Sequence, residues 1–152
     1  MKVYIATAFE HRKTIYRRAV NSFEGRGHTI TWDWNKGCHE GGHNDLDAVN
    51  DIVGVVAADM VLMLLPGGKG THAELGAALA LDVPVVIVSP TRCWGPGESV
   101  FYDHPTVKQK MVCDYNSPRA YDAIVELCEQ VKMRLDIAKR TKPRVAGETE
   151  TT

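Results

Sequence analysis

The sequence predicts a doubly wound parallel α/β sheet, a three-layer α/β/α domain. Three observations carry that expectation. Strand-like and helix-like segments alternate from residue 3 to residue 89. Two of the strand-like segments, residues 59–65 (DMVLMLL) and 83–89 (VPVVIVS), are near-continuous apolar runs, as strands covered on both faces are. The chain has 152 residues, 44% of them hydrophobic and 24% charged, which is one soluble domain's worth with a sizeable core.

Residues 3–7 read as the first strand, buried on both faces. Residues 11–24 follow as a helix with Ile15, Ala19 and Phe23 on one apolar stripe, stopped by Gly25 and Gly27. Residues 28–34 read as a second strand with Ile30, Trp32 and Trp34 on one face. Residues 35–44 hold three glycines and no periodicity, which predicts a loop. Residues 45–58 read as a second helix whose core face is Leu46, Val49, Val53 and Val56. After the strand at 59–65 come a glycine-rich turn at 66–70, a helix at 71–81 and the strand at 83–89. Residues 90–105 form a long Gly- and Pro-rich loop, 110–113 a short strand, and 118–140 a long helix with Tyr121, Ile124, Cys128, Val131 and Leu135 on one side. The domain is expected to span 1–140, and the polar residues 141–152 to be a disordered tail.

Composition excludes several function classes. A net charge of -1 argues against a binder of polymeric nucleic acid. No apolar run reaches membrane-spanning length, and the N-terminal run is too short for an export signal. The four cysteines have no C-x-x-C pair, so they read as reduced thiols in a cytoplasmic protein.

In doubly wound sheets, ligands bind beyond the C-terminal ends of the strands. Residues 7–12, 66–74 and 89–102 fall there. This makes Thr7, Phe9 and Arg12 candidate ligand contacts, with Phe9 placed to stack on an aromatic ring and Trp32 or Trp34 able to do likewise or to serve the core. The most informative stretch is Pro66-Gly67-Gly68-Lys69-Gly70-Thr71-His72-Ala73-Glu74. Its glycines, Gly68 and Gly70 among them, let a ligand approach the backbone, and the N–H groups of the helix start beside Thr71 can hold an anion or a sugar oxygen. Glu74 lies on the first turn, where the helix dipole favours its ionised form. Such a carboxylate suits attack on an anomeric carbon. The same letters, Thr71 to Glu74, also spell an ordinary T-x-x-E capping box. The turn is neither a Walker phosphate loop nor a dinucleotide fingerprint.

Tyr4 on the first strand, Asp51 on the second helix and Gly70-Thr71-His72-Ala73-Glu74-Leu75-Gly76 on the third together resemble the nucleoside 2-deoxyribosyltransferase family and the related 2'-deoxynucleoside 5'-monophosphate N-glycosidases, over about residues 2–102. The resemblance implies a flavodoxin-like, Rossmann-like sheet and a covalent retaining mechanism without cofactor or metal. It places the nucleophile on Glu74, the acid that protonates the leaving base on Asp51, and the hydroxyl that holds nucleophile and sugar on Tyr4. Read without it, Asp51 is one of two acids four apart on a polar helix side, and Tyr4 a core aromatic.

The resemblance also implies a nucleoside or nucleoside 5'-monophosphate as substrate, a free base as acceptor in transfer, and at least a homodimer with shared sites. Two departures bear on the sugar's 5' end. The transferases carry an aspartate six residues before the nucleophile, where this chain has Gly68. A further contact comes from a neighbouring subunit, and its place falls near Ser99. Losing an acid and gaining a hydroxyl suits a 5'-phosphate, to which Lys69 or Arg12 would add charge. Residues 66–74 also resemble the P-G-G-x-G-T-x-x-E signature of the Lonely Guy phosphoribohydrolases, whose arginine-bearing helix motif this sequence lacks.

His39-Glu40-Gly41-Gly42-His43 spells the H-E-x-x-H zinc pattern, but two glycines would cost the necessary helix roughly 2 kcal/mol. A loop metal site through Cys38, His39 and His43, or a substrate contact from Glu40 or His43, is the other reading. His72, on the first turn, is expected to face water, and Cys93 has no readable base partner. Against the N-glycosyl enzyme stand a nucleotide-binding module without catalysis and a zinc hydrolase.

Overall fold

The computed structural model describes residues 1–37 and 45–141. The loop carrying Cys38, His39, Glu40 and His43, and nearly all of the expected tail, lie outside the described residues.

Five parallel strands form one sheet: β1 (Lys2–Ala6), β2 (Thr29–Ile30), β3 (Met60–Leu64), β4 (Val85–Ser89) and β5 (Val107–Val112), in the order β2-β1-β3-β4-β5. That is the flavodoxin-like order of a doubly wound sheet. β3 and β4 are buried along their whole length, as their unbroken apolar runs require.

The strands' alternating side chains make two cores. On one face, Val3, Ile5, Leu62 and Val88 pack against α1 (Arg17–Gly25) and α5 (Ala120–Thr141). These helices bury the stripes their sequences predict, with Ala19 and Phe23 from α1 and Tyr121, Ile124, Cys128 and Val131 from α5. On the other face, Tyr4, Ala6, Val61 and Ile87 pack against α3 (Asp45–Val56) and α4 (Lys69–Ala80). The chain leaves β1 toward one layer and enters β3 from the other. A crevice therefore opens between the C-terminal ends of β1 and β3, the switch point where such sheets bind ligands.

Four local readings need correction. The helix expected at 11–24 is split into a 3-10 turn (Phe9–His11), a π turn (Arg12–Tyr16) and α1. The second strand is cut to Thr29–Ile30, and residue 34 opens α2 (Trp34–Gly37) instead. The cause is Trp34, whose indole N–H donates to the Ile5 carbonyl at 3.0 Å and so takes the place of a ladder bond on β1. The last strand is longer than the four residues expected, and the long loop before it holds a 3-10 turn at Val100–Asp103.

The largest correction concerns α3. Leu46, Val49, Val53 and Val56, expected in the core, are 55–68% exposed. The helix buries its other side, where Gly54 and Val55 are inaccessible and Asp47 and Asp51 half-buried. Gly54 explains the choice, because a Cβ there would lie 2.7 Å from Trp32 Cβ and 2.8 Å from the Tyr4 ring. Only a glycine lets α3 lie this close to β1, and the approach brings Asp51 to Tyr4. Gly54→Ala is therefore expected to cost ~1–3 kcal/mol of stability through overpacking, read as a lower urea midpoint at unchanged slope, although alanine is the better helix former.

Candidate active site

The crevice is a cavity of about 260 Å³, walled by Thr7 to Glu10 after β1, Trp32 and Trp34 after β2, Asp47 and Asp51 from α3, and Gly68 to Thr71 with Glu74 from α4. It brings together most of the residues singled out in the sequence. Glu74, Asp51, Thr7, Phe9, Trp34, Gly68, Gly70 and Thr71 all line it, and Tyr4 is fully buried behind it.

Tyr4 joins the two acids. Its hydroxyl lies 2.8 Å from Glu74 Oε1 and 3.1 Å from Asp51 Oδ1. One phenolic hydrogen donates fully to one oxygen at a time, and the shorter contact marks Glu74 as its acceptor. A proton on Asp51 would then complete a line from Asp51 through the Tyr4 oxygen to Glu74. Burial first, and the two neighbouring carboxylates second, hold the Tyr4 hydroxyl firmly protonated.

The capping-box reading of Glu74 fails on geometry. α4 begins at Lys69, with Gly68 as its cap, and Thr71 Oγ1 accepts from the Gly68 N–H at 3.2 Å. Glu74 is thus a full turn too far along to serve the helix start, and its carboxylate faces the cavity and Tyr4.

Burial also changes its titration. Desolvation raises the Glu74 pKa from 4.5 to about 7, the Tyr4 hydrogen bond lowers it, and the Asp51 charge raises it. Burial thus sets the direction of the shift, and Glu74 does not lie on the first turn, where the sequence predicts that the helix start favours its ionised form. Because the folded-state value lies above the unfolded one, this group's stabilising contribution is complete below pH 4.5 and is lost as pH rises through about 7. A pH series of urea unfolding should show wild type losing stability across that window relative to Glu74→Gln, which cannot titrate. If Glu74 must be ionised to react, activity rises over the same window, so kcat/KM should climb with an apparent pKa of about 7.

The aromatic wall is tied to the core. Trp34 packs against Tyr16, with ring centroids 4.3 Å apart and planes tilted by 43°, and the Phe9 ring centroid sits 6.4 Å from that of Trp34. Two buried polar atoms in the wall, Thr7 Oγ1 and Trp32 Nε1, have no hydrogen-bond partner among the described residues. A buried hydroxyl and indole N–H without partners are costly unless a ligand supplies them.

Two candidates stand outside the cavity. Arg12 lays its guanidinium over the Phe9 ring at 4.0 Å and donates to the Phe9 carbonyl at 3.3 Å, so it braces the aromatic wall. Ser99 precedes the 3-10 turn at Val100–Asp103 and does not line the cavity of its own chain. His72 does not simply face water. Its Nδ1 lies 2.8 Å from the Gly68 carbonyl and its Nε2 2.8 Å from the Tyr102 hydroxyl. A carbonyl only accepts, so Nδ1 carries the hydrogen, and the ring ties the glycine turn to the loop before β5.

The wall also holds Glu10, which no sequence pattern marks, and Asp47, whose spacing of four from Asp51 was the available signal. Among the described residues no group of three or more His, Cys, Asp or Glu side chains is placed to hold a metal ion. No helix among them is long and apolar enough to cross a membrane.

No protein-family model matches this sequence, and no curated protein sequence matches it. Solved structures do resemble it. The CMP N-glycosidase BcmB of Clostridium botulinum superposes with a TM-score of 0.61 at 17% identity, over 84% of this chain and 99% of that one. BlsM, known from a solution structure, gives 0.58 at 16% identity, over 96% and 97%. Both likenesses are of fold. A 2-deoxyribosyltransferase of Bacillus psychrosaccharolyticus, described as a biocatalyst for nucleoside synthesis, gives 0.58 at 25% identity, over 76% and 88%. The structural neighbours thus include an N-glycosidase and a 2-deoxyribosyltransferase, matching the family that the sequence resembles.

Proposed function

We propose that the protein cleaves or transfers at the N-glycosidic bond of nucleosides or their 5'-monophosphates through a covalent glycosyl intermediate on Glu74. The observation that carries this is the Glu74–Tyr4–Asp51 cluster, two carboxylates bridged by one phenol at 2.8 and 3.1 Å on a cavity wall. The likeness to a 2-deoxyribosyltransferase at 25% identity supports it.

In this reading the base lies against Phe9 and Trp34 and the sugar lies over Glu74. A Glu74 oxygen bonds to the anomeric carbon as the carbon–nitrogen bond breaks. The departing base takes that bond's electron pair and a proton from Asp51, since a nucleobase anion is a poor leaving group. Water or an acceptor base then attacks the same carbon, returns a proton to Asp51 and frees the Glu74 carboxylate. Tyr4 donates to Glu74 in the resting enzyme and is free to turn to the sugar once that oxygen is alkylated. The sites are shared between two copies, Ser99 of a neighbouring copy reaching the sugar's 5' end. No cofactor takes part.

A second reading, hydrolysis of a 5'-monophosphate, draws on one feature. The wall from Gly68 to Thr71 offers the start of α4 and Lys69, where a phosphate is favoured. A panel of nucleosides and 5'-monophosphates, incubated with and without a free base, separates these. Base released in water alone means hydrolysis, and new nucleoside formed only with an acceptor means transfer. Ligand binding with no turnover of any member would discard catalysis in favour of a binding module.

A further inference from the structure

The cavity is far more acidic than the chain that forms it. Resting on the N-glycosidic reading above, we infer that the site prefers nucleosides whose base carries a positive charge, as ring-N-methylated adenine and cytosine do.

Four carboxylates line the cavity, Glu10, Asp47, Asp51 and Glu74, and among the described residues only one cationic side chain does, Lys69. The whole chain has a net charge of -1, so this excess is local. The chemistry uses two of the acids. Tyr4 bridges Glu74 and Asp51 at 2.8 and 3.1 Å, and attack and proton delivery call for no other. Glu10 and Asp47 are left without a task in the reaction. The acids are not arranged around a shared metal ion, since no three His, Cys, Asp or Glu side chains among the described residues are grouped to hold one.

The two extra acids approach from different layers. Asp47 lies one turn before Asp51 on the same side of α3, toward the ligand-binding edge of the sheet. Glu10 follows β1, on the segment that leads into the other layer. The wall they share holds three aromatic rings, Phe9, Trp32 and Trp34. An aromatic face attracts a cation, and indole attracts it best. Phe9 already carries the Arg12 guanidinium at 4.0 Å. Trp34 is held rigid by its bond to the Ile5 carbonyl at 3.0 Å and by Tyr16, 4.3 Å away between centroids. Thr7 adds a buried hydroxyl with no hydrogen-bond partner among the described residues, which the edge of a ligand ring can satisfy.

A neutral base stacks on such a wall, and an exocyclic amine gives it a hydrogen bond to one carboxylate. A charge delocalised over the ring is drawn by the indole face and by every carboxylate around it at once. Charge therefore separates two ligands of equal shape.

Ring-methylated nucleosides lose their base more readily in any solvent, so binding is the measurement. Calorimetric titration uses the full chain carrying Glu74→Gln, expected to hold its ligand uncleaved. At neutral pH, cationic 1-methyladenosine is compared with its neutral isomer N6-methyladenosine, and cationic 3-methylcytidine with neutral N4-methylcytidine, as ribo- and 2'-deoxyribonucleosides. The cation is expected to bind at least about tenfold tighter than its isomer in at least one pair. Glu10→Gln and Asp47→Asn, each added to that background, should narrow the ratio by about threefold or more, and added salt should narrow it too. Equal binding of the isomers would overturn the inference, as would a preference that neither substitution moves. If the isomers bind alike while wild type releases base from the unmethylated nucleosides, the proposed reaction stands and the charge preference alone falls. If Glu74→Gln still releases base, the role of Glu74 falls, and the ratio is read from KM instead. If no nucleoside binds, both readings fall.

Discussion

Glu74→Ala is expected to abolish base release, lowering kcat/KM by ~10³-fold or more, the scale seen when an attacking group is removed, while the fold persists. The carboxylate is buried and accepts a hydrogen bond from Tyr4. No helix cap is lost with it, because Gly68 and Thr71 make the cap between them. Removing a desolvated carboxylate also removes a group that burial penalises when charged. Stability above neutral pH should therefore hold or rise, and loss of activity could not be blamed on unfolding. Glu74→Gln sharpens the result, since its amide oxygen still accepts from Tyr4 but cannot attack carbon. Turnover near the wild-type rate in either variant would remove residue 74 from the chemistry. The quantities to measure are free base by chromatography and the urea midpoint of the same preparations.

Asp51→Asn carries the second large effect, a loss of ~10² to 10⁴-fold in kcat, the range for a positioned general acid. The amide keeps the shape of the side chain and a contact to the Tyr4 oxygen, 3.1 Å away in the wild type. What it lacks is the proton for the leaving base. Its defect should depend on the substrate. A nucleoside of an N7-alkylated purine carries its positive charge already and leaves as a neutral base. On that substrate the variant should come close to wild type. An equal loss on both substrates would show that Asp51 acts only by holding Tyr4 in place, as a positioning residue. Glu74→Ala should fail on both, so the two variants together separate the attacking group from the acid.

Much of this site is legible in the chain because its signals are local. The glycine turn, the helix behind it and Glu74 lie within a few residues, and strand and helix periods place them at the ligand-binding edge of the sheet. Glu10 was missed because its place in the wall depends on the tight 3-10 and π turns after β1, which replace the regular helix its neighbours suggest. The α3 stripe misled for a different reason. A helix with valines on one side and Asp47, Asp51 and Gly54 on the other has two faces that can be turned inward. Hydrophobicity favours the first, whereas close approach to Tyr4 requires the second.

The sequence by itself determined the alternation of elements, the buried central strands and the presence of a carboxylate just past a glycine turn, since each follows from spacing along a few consecutive residues. Only the tertiary structure decided that this carboxylate faces a cavity rather than its own helix start, that Tyr4 bridges it to an acid 47 positions away from Tyr4 in the chain, and that the valines of α3 point outward. Those outcomes depend on which surfaces meet across the sheet, and desolvation, hydrogen-bond geometry and close packing act on distances in space, which spacing along the chain does not fix.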